Sequence, residues 1–468
     1  MKRGHFFVML GLLGGLGACT VAGPDYQRPA GAVANAPAAS APFTGSSANI
    51  VQEEPPAHWW RLYADPRLDT LVTQALTANA DLRAANANLR QAQAVVSEAL
   101  AGRTVAASTA GGLSLSRPQT VGGALPGTVG YDIGIGASLP LDLSGKIRRG
   151  IEAARGDAES VRAARDAVRV TVAAATARAY AAICAANHQL AAADRVLRIE
   201  RQSLDVTTRL AEGGRGTAFD VTRARAAVEQ TEATLPGFTA ERMAALYQLA
   251  ALLGRPAGNY PKDIASCAAI PHPARAIPVG DGAALLRRRP DIRAAERALA
   301  ADTARIGVAT ADLYPQVSLG GSAGLTGPLA SIGSDKALRL KLGPLISWTF
   351  PNRRVTRARI AEADAAAQAS FAHFDSVVLD ALRQTETALS AYAREIDRNR
   401  ALARARDSAA AAADQAGRLY RFGRADFLSL LTAQNSLASA ETVLAASDAA
   451  LANREIDLFL ALGGGWQD

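Results

Sequence analysis

The chain carries the same text twice. Asp81-Leu82-Arg83-Ala84-Ala85 returns as Asp291-Ile292-Arg293-Ala294-Ala295, and Arg209-Leu210 … Gly214-Arg215 returns as Arg418-Leu419 … Gly423-Arg424, an offset of about 210 residues in a chain of 468. Self-similarity at that length means two copies of one structural unit, and any fold must accommodate both. Each copy has the same order: a long helical stretch, a short β-hairpin, then two very long helical stretches. The predicted boundaries are 58–254 for the first copy and 283–468 for the second, joined by a connector over 255–282. The fold class that follows is mainly α with a small β part, built by internal duplication.

The patterns inside each copy are specific. Leu71, Ala75, Ala78, Leu82, Ala85, Leu89, Ala92, Val96 and Ala99 alternate spacings of four and three, which is a heptad seam. The second copy repeats it through Ile292, Ala295, Leu299, Ile306 and Ala309, interrupted at Asp302. Leu113 and Leu115, then Ile133, Ile135, Ala137 and Leu139, alternate with small or polar residues. Val317 and Leu319, then Leu338, Leu340 and Leu342, do the same. Period two with one apolar face indicates strands. Each copy therefore supplies one hairpin, four strands per chain. Four strands cannot close a barrel and would leave unpaired edges, whereas three chains would give twelve strands and closure. After the first hairpin, Ile147 to Leu210 contains no proline, so a helix of about 64 residues and roughly 95 Å is expected. In the second copy the return helix repeats Leu430, Leu437, Leu444, Leu451 and Leu458, one every seven. Glu212-Gly213-Gly214-Arg215-Gly216 and Arg421-Phe422-Gly423-Arg424 are the hairpin tips, pointing away from the sheet. Pro236-Gly237 is expected to kink the first return helix. Arg287-Arg288-Arg289-Pro290-Asp291 reads as a loop entering a helix, with proline in the first turn and aspartate at the positive end.

The N-terminus predicts a compartment. Lys2 and Arg3 precede the apolar run Phe6–Leu16, too short to span a bilayer, so residues 1–18 read as a signal peptide. Leu16-Gly17-Ala18-Cys19 resembles a bacterial lipoprotein box, in which Cys19 becomes the acylated first residue and buries enough methylene for a stable anchor. Residues 19–57 then form a lipidated extended arm, rich in Ala, Pro and Ser. No later uninterrupted apolar run has membrane-helix length, so further membrane contact would be by strands. The formal charge of +8 is spread as arginine among acids on helical stretches, with aromatics only 5% of the chain. That pattern describes solvated helix faces and gives no nucleic-acid partner. The five histidines are isolated, without metal-ligand spacing, and there is no nucleophile triad, Walker loop or dinucleotide fingerprint. No enzyme activity and no cofactor is expected beyond the covalent lipid on Cys19.

Gly23-Pro24-Asp25-Tyr26, Leu285-Leu286-Arg287-Arg288-Arg289-Pro290-Asp291-Ile292 and Ile306-Gly307-Val308-Ala309-Thr310-Ala311-Asp312-Leu313-Tyr314-Pro315 resemble the outer membrane factor family, the TolC-like channels, in its OprM and NodT lipoprotein subgroup. The resemblance covers most of the mature chain. It implies a homotrimer with a twelve-stranded β-barrel in the outer membrane and a long antiparallel coiled-coil α-barrel crossing the periplasm. Partners would be a periplasmic adaptor, an inner-membrane pump and outer-membrane lipid. In such channels the closed tip is held by links from an Asp of one hairpin to a Tyr and an Arg of the other. The corresponding residues are Asp220, Tyr420 and, one position displaced, Arg424. Leu428 takes the apolar constriction. Ser429 and Thr432 stand where relatives often carry Asp, so a carboxylate ring is not kept. Asp220 has a second reading, as the cap of its own helix. The family's connector wraps the helical barrel, and Cys267 lies in it, so a disulfide to Cys184 would tie connector to helix. The function implied is a passive export duct of a tripartite efflux system. The alternatives are the outer component of a type I protein secretion system, distinguished by its genomic neighbours, and a poreless coiled-coil lipoprotein, against which the hairpins argue.

Overall fold

A computed structural model of the chain describes residues 21–45, 49–117, 119–120, 123–124, 127–267, 269–334, 337–350 and 352–464. Its helices are α1 (Pro37–Ser40), α2 (Pro66–Ala78), α3 (Ala80–Ala101), α4 (Lys146–Glu212), α5 (Ala218–Glu232), α6 (Leu235–Leu252), α7 (Gly282–Arg288), α8 (Pro290–Ala311), α9 (Arg353–Arg421) and α10 (Phe427–Ala461). The strands are β1 (Ile50–Val51), β2 (Ala106–Ser116), β3 (Gln119–Thr120), β4 (Gly123–Ala124), β5 (Thr128–Leu141), β6 (Ile277–Pro278), β7 (Gln316–Pro328) and β8 (Leu338–Ser347). The chain divides into two compact units. One holds residues up to 30, 88–162 and 294–374; the other holds the remainder.

The first unit is organised on an antiparallel sheet of order β2-β5-β7-β8. β2 and β5 form the first hairpin, with Ala106 opposite Ser138 and Ser116 opposite Thr128. β7 and β8 form the second, with Gln316 opposite Ser347. The two copies join through β5 and β7, where Leu141 faces Val317. Leu113, Leu115, Ile133, Ile135, Leu340 and Leu342 are all exposed, with Leu342 at 85%. The segment after residue 20 is pinned in this unit. The Arg149 guanidinium, 4% exposed, donates to the Ala22 and Gly23 carbonyls at 3.0 and 3.1 Å and pairs with Asp25 and Glu152 at 2.7 Å. Gly23 has φ +80°, and a Cβ there would lie 2.4 Å from the Gly307 Cα. Two of the motif strings thus meet backbone to backbone, a closeness only glycine permits.

The second unit contains most of α4, α5, α6, most of α9 and α10. Ala, Val and Leu bury along one face of each helix, with Val172, Ala173, Ile183, Leu246, Leu249, Leu389 and Leu458 among the most enclosed. Trp59 stacks on Phe459 with ring centroids 4.6 Å apart. The end of α10 is closed by two arginines: Arg288 Nε donates to the Leu462 carbonyl and Arg289 Nη1 to that of Ala461, both at 2.8 Å. They satisfy carbonyls that have no partner within the helix and place positive charge at its negative end. The arginine run therefore does more than enter a helix.

Several expectations are corrected. The first heptad stretch is two helices, broken at Asn79, whose ψ of 135° leaves the helical region while its side chain caps the Leu82 N–H at 3.1 Å. The corresponding break in the second copy lies at Arg289, extended because Pro290 follows. The first return helix ends at Glu232, and Pro236 sits in the first turn of α6, so the expected kink is an interruption. The stretch from residue 30 to 56 is not a plain extended arm. It contains α1 and β1, donates from the Val33 N–H to Asp375 at 2.9 Å, and pairs β1 in parallel with β6. The expectation that no uninterrupted apolar run reaches membrane-helix length stands: α4 contains a window of that length with mean hydropathy 1.2, but charged residues such as Arg178 interrupt its apolar stretch and 61% of the window is buried. Its apolarity belongs to helix packing.

Candidate channel tip

The two hairpin tips repeat at an interval of 209 residues, from Gly214 to Gly423, and both lie in the second unit. α4 ends with Gly214 at φ +69° and the Arg215 N–H donating to the Leu210 carbonyl at 2.8 Å. α9 ends the same way, Gly423 at φ +68° and the Arg424 N–H on the Leu419 carbonyl at 2.8 Å. These are left-handed glycine caps, and an L side chain at either position would be strained. The next helices start with side-chain caps. Thr217 Oγ1 accepts from the Asp220 N–H at 3.1 Å, while Asp220 Oδ2 accepts from the Thr217 hydroxyl at 2.7 Å and its N–H at 3.3 Å. That reciprocal pair is a capping box. In the second copy Asp426 caps α10 by accepting from the Ser429 N–H at 2.7 Å, and hydrogen bonds from the Ser429 hydroxyl and then from its N–H hold the Asp426 carboxyl below the ordinary value.

The structure places the predicted gate residues as follows. Asp220 is spent in part on its own helix. Tyr420 is buried among Ala224, Phe427, Leu430 and Leu431, its hydroxyl 3.4 Å from Thr207 Oγ1 and its ring 5.8 Å from that of Phe427. Within one chain Asp220 and Tyr420 are not linked, and Arg424 is exposed without an ion pair among the described residues. Leu428 is exposed, and so are Ser429 and Thr432; the Thr432 hydroxyl donates to the Leu428 carbonyl at 2.8 Å. Sequence reasoning missed what continues from them. Leu428, Thr432, Asn435, Ser439 and Thr442, at spacings of four and three, form one exposed face of α10. The opposite face, through Leu430, Gln434 and Leu437, is buried. The signal was present as a heptad of small polar residues beside the leucine heptad.

The connector is fastened at three points. Cys184 and Cys267 form a buried disulfide with Cα atoms 4.9 Å apart. Asn187 Nδ2 donates to the carbonyls of Ala265 and Cys267 at 2.9 and 2.6 Å. His272 Nδ1 lies 3.2 Å from both carboxylate oxygens of Glu455. That hydrogen bond raises His272 above its ordinary value, and burial raises Glu455. No group of three or more His, Cys, Asp or Glu side chains suited to a metal occurs among the described residues. Cys19 lies outside the described residues.

Comparison with known proteins agrees with this geometry. The family model described as "Outer membrane efflux protein" matches residues 71–255 and 283–464. The chain is similar to Nodulation protein T of Rhizobium leguminosarum bv. trifolii, at 30% identity across 87% of this chain and 88% of the relative. It is similar to the cation efflux system protein CusC of Escherichia coli O157:H7, at 29% identity across 99% and 98%. Among solved structures, the outer-membrane channel OprN superposes with a TM-score of 0.88 at 36% identity, over 95% of this chain and 99% of that one. The Neisseria gonorrhoeae MtrE channel, in its open state, gives 0.79 at 26% identity, over 96% and 99%. The duplicated helix–hairpin–helix order, the two capped tips and these matches place this chain in the outer membrane efflux protein family, as an outer-membrane channel extending into the periplasm.

Proposed function

We propose that three copies of this chain assemble into one duct, a passive conduit with no catalytic chemistry. The observation that carries this reading is the four-stranded sheet whose edges, β2 and β8, each have a single partner among the described residues. Exposed apolar side chains alternate along it with small or charged residues such as Arg339 and Lys341. An open edge of this kind is unstable in a bilayer, and joining β2 of one copy to β8 of the next in a threefold ring gives twelve strands without an edge. The apolar face then meets lipid and the polar face meets water. The helical regions continue the conduit as a coiled-coil barrel, whose narrow point is set by three copies of the tip. Leu428 forms an apolar ring there, with Ser429 and Thr432 as uncharged neighbours. Asp220 retains Oδ1 for a neighbouring subunit, with Tyr420 and Arg424 as the opposing hairpin's contribution. Cys19 carries the lipid. Ala22 donates to the Ser144 carbonyl just beyond β5, so an acyl group a few residues upstream would enter the membrane where the sheet does. An inner-membrane pump supplies the energy through a periplasmic adaptor. Native mass measurement in detergent should give a trimer, and the purified protein should conduct in a planar bilayer; a stable monomer with intact strands would refute the assembly.

A further inference from the structure

A cavity of about 470 Å³ lies among α4, α5 and α10, within the second unit. Its walls mix small apolar side chains with Gln230, Thr231, Asn435, Ser439 and Thr442, and the one titratable group in its lining is Glu200 of α4. Glu200 is 4% exposed. It makes no ion pair among the described residues, and its Oε2 has no hydrogen-bond partner. Thr231 gives the carboxylate one hydrogen bond, yet a buried charge with no ionic partner still costs free energy, since buried charges are ordinarily paired.

The surroundings make the site more receptive to a cation. α5 ends at Glu232 and the next helix begins at Leu235, so a negative and a positive helix pole meet beside the cavity and offset each other, leaving its polar side chains to receive the cation. The Thr231 carbonyl accepts from the Thr234 N–H and hydroxyl at 3.1 and 2.7 Å, so the chain turns beside the cavity. The amide and hydroxyl oxygens of Gln230, Asn435 and Ser439 add acceptors. Asn435, Ser439 and Thr442 belong to the exposed face of α10 that begins at Leu428, so the cavity adjoins the face that carries the proposed constriction. Its volume fits a small organic molecule. We propose that this cavity is a binding subsite for the ammonium group of a small organic cation, with Glu200 as its counter-ion. The solute's arrival rests on the duct reading; the binding does not. Burial raises Glu200 above the ordinary carboxylate value, although a hydrogen bond with Thr231 acts in the other direction, so proton and ammonium compete for one carboxylate.

Two probes of one shape test this on the full-length protein in detergent: benzylammonium and uncharged benzyl alcohol, by calorimetric titration at pH 7.5. Benzylammonium should bind at least tenfold more tightly than benzyl alcohol. Glu200→Gln, which keeps the shape, should remove that preference and leave benzyl alcohol unchanged. Ser439→Leu, which fills the cavity from α10, should weaken both probes. Lowering the pH through the raised range of Glu200 should weaken benzylammonium alone. Equal affinity for the two probes, an undiminished preference in Glu200→Gln, or no binding of either probe to the folded protein would overturn the proposal. Bilayer conductance of the same samples reads the duct separately, so a conducting protein without the ammonium preference fails here and not there.

Discussion

At the scale of single residues, Gly23 and Gly307 are the clearest case of a motif with a mechanical cause. A Cβ at Gly307 would meet the Ala22 carbonyl oxygen at 2.7 Å and the Arg149 side chain at 2.7 Å. Gly307→Val should therefore dislodge the segment from residue 21 to 26, at a cost of about 1–3 kcal/mol from overpacking. Hydrogen exchange of the Ala22 amide, now bonded to Ser144, should accelerate, while Gly31→Ala, where no atom lies within 4 Å, should leave it unchanged. His272 gives a second residue-scale expectation. Its folded value is raised by the Glu455 hydrogen bond, so its contribution is complete below the unfolded value near 6.5 and is lost as pH rises through the raised value. Asp448 also acts on His272 in the raising sense. The amides of 272 and 274–277 should have lower protection factors, corrected for the pH dependence of intrinsic exchange, at pH 8.5 than at pH 6, and His272→Gln should flatten that dependence. An unchanged protection factor across that range in the native chain would show that the pair does not hold the connector.

At the scale of elements, the sequence was most readable where a period ran long. The four strands of the main sheet and the spans of α4 and α9 follow from alternation and from proline-free length. The breaks at Asn79 and Arg289 do not, because the apolar seam continues through them and only the cap geometry reveals the interruption. β1, β3, β4 and β6 are two residues each, too short to show any period. Asp220 was located through its turn glycine, yet its cap could not be separated from a gate by spacing alone. Glu200 was unreadable, since a lone acid in a charged helix looks solvated until the packing of α5 and α10 encloses it. The disulfide is an element-scale tie: it joins α4 to the connector across a separation of 83 residues. Closing a loop of that length is worth about 4.5 kcal/mol on the chain-entropy account, with 2–4 kcal/mol more typical. Cys184→Ala with Cys267→Ala should lower the stability to denaturant by about that amount and leave the sheet intact by circular dichroism. A midpoint that does not move would mean the connector is held by Asn187 and His272 instead.

At the scale of the whole molecule, the question is whether the tips act as a gate between subunits or only as well-capped ends. Thr217 and Asp220 belong to one capping box, so both substitutions to alanine remove the cap, at about 1 kcal/mol. They differ in what else they remove: Asp220→Ala also deletes the oxygen available to a neighbouring subunit, and Thr217→Ala does not. In the trimer proposed above that loss occurs three times, at roughly 1 kcal/mol or more for each charge-assisted bond. Asp220→Ala should thus raise single-channel conductance well beyond Thr217→Ala, measured in a planar bilayer on trimers of equal mass. Tyr420→Phe separates the partner hairpin. Its ring stays packed on Phe427, and within the chain it gives up only the 3.4 Å contact with Thr207. A rise in conductance on Tyr420→Phe, with an unchanged melting temperature, then reports a hydroxyl used between subunits. Equal conductance for Thr217→Ala and Asp220→Ala, with Tyr420→Phe silent, would assign both residues to the integrity of their own helices and leave Leu428 as the constriction that closes the duct.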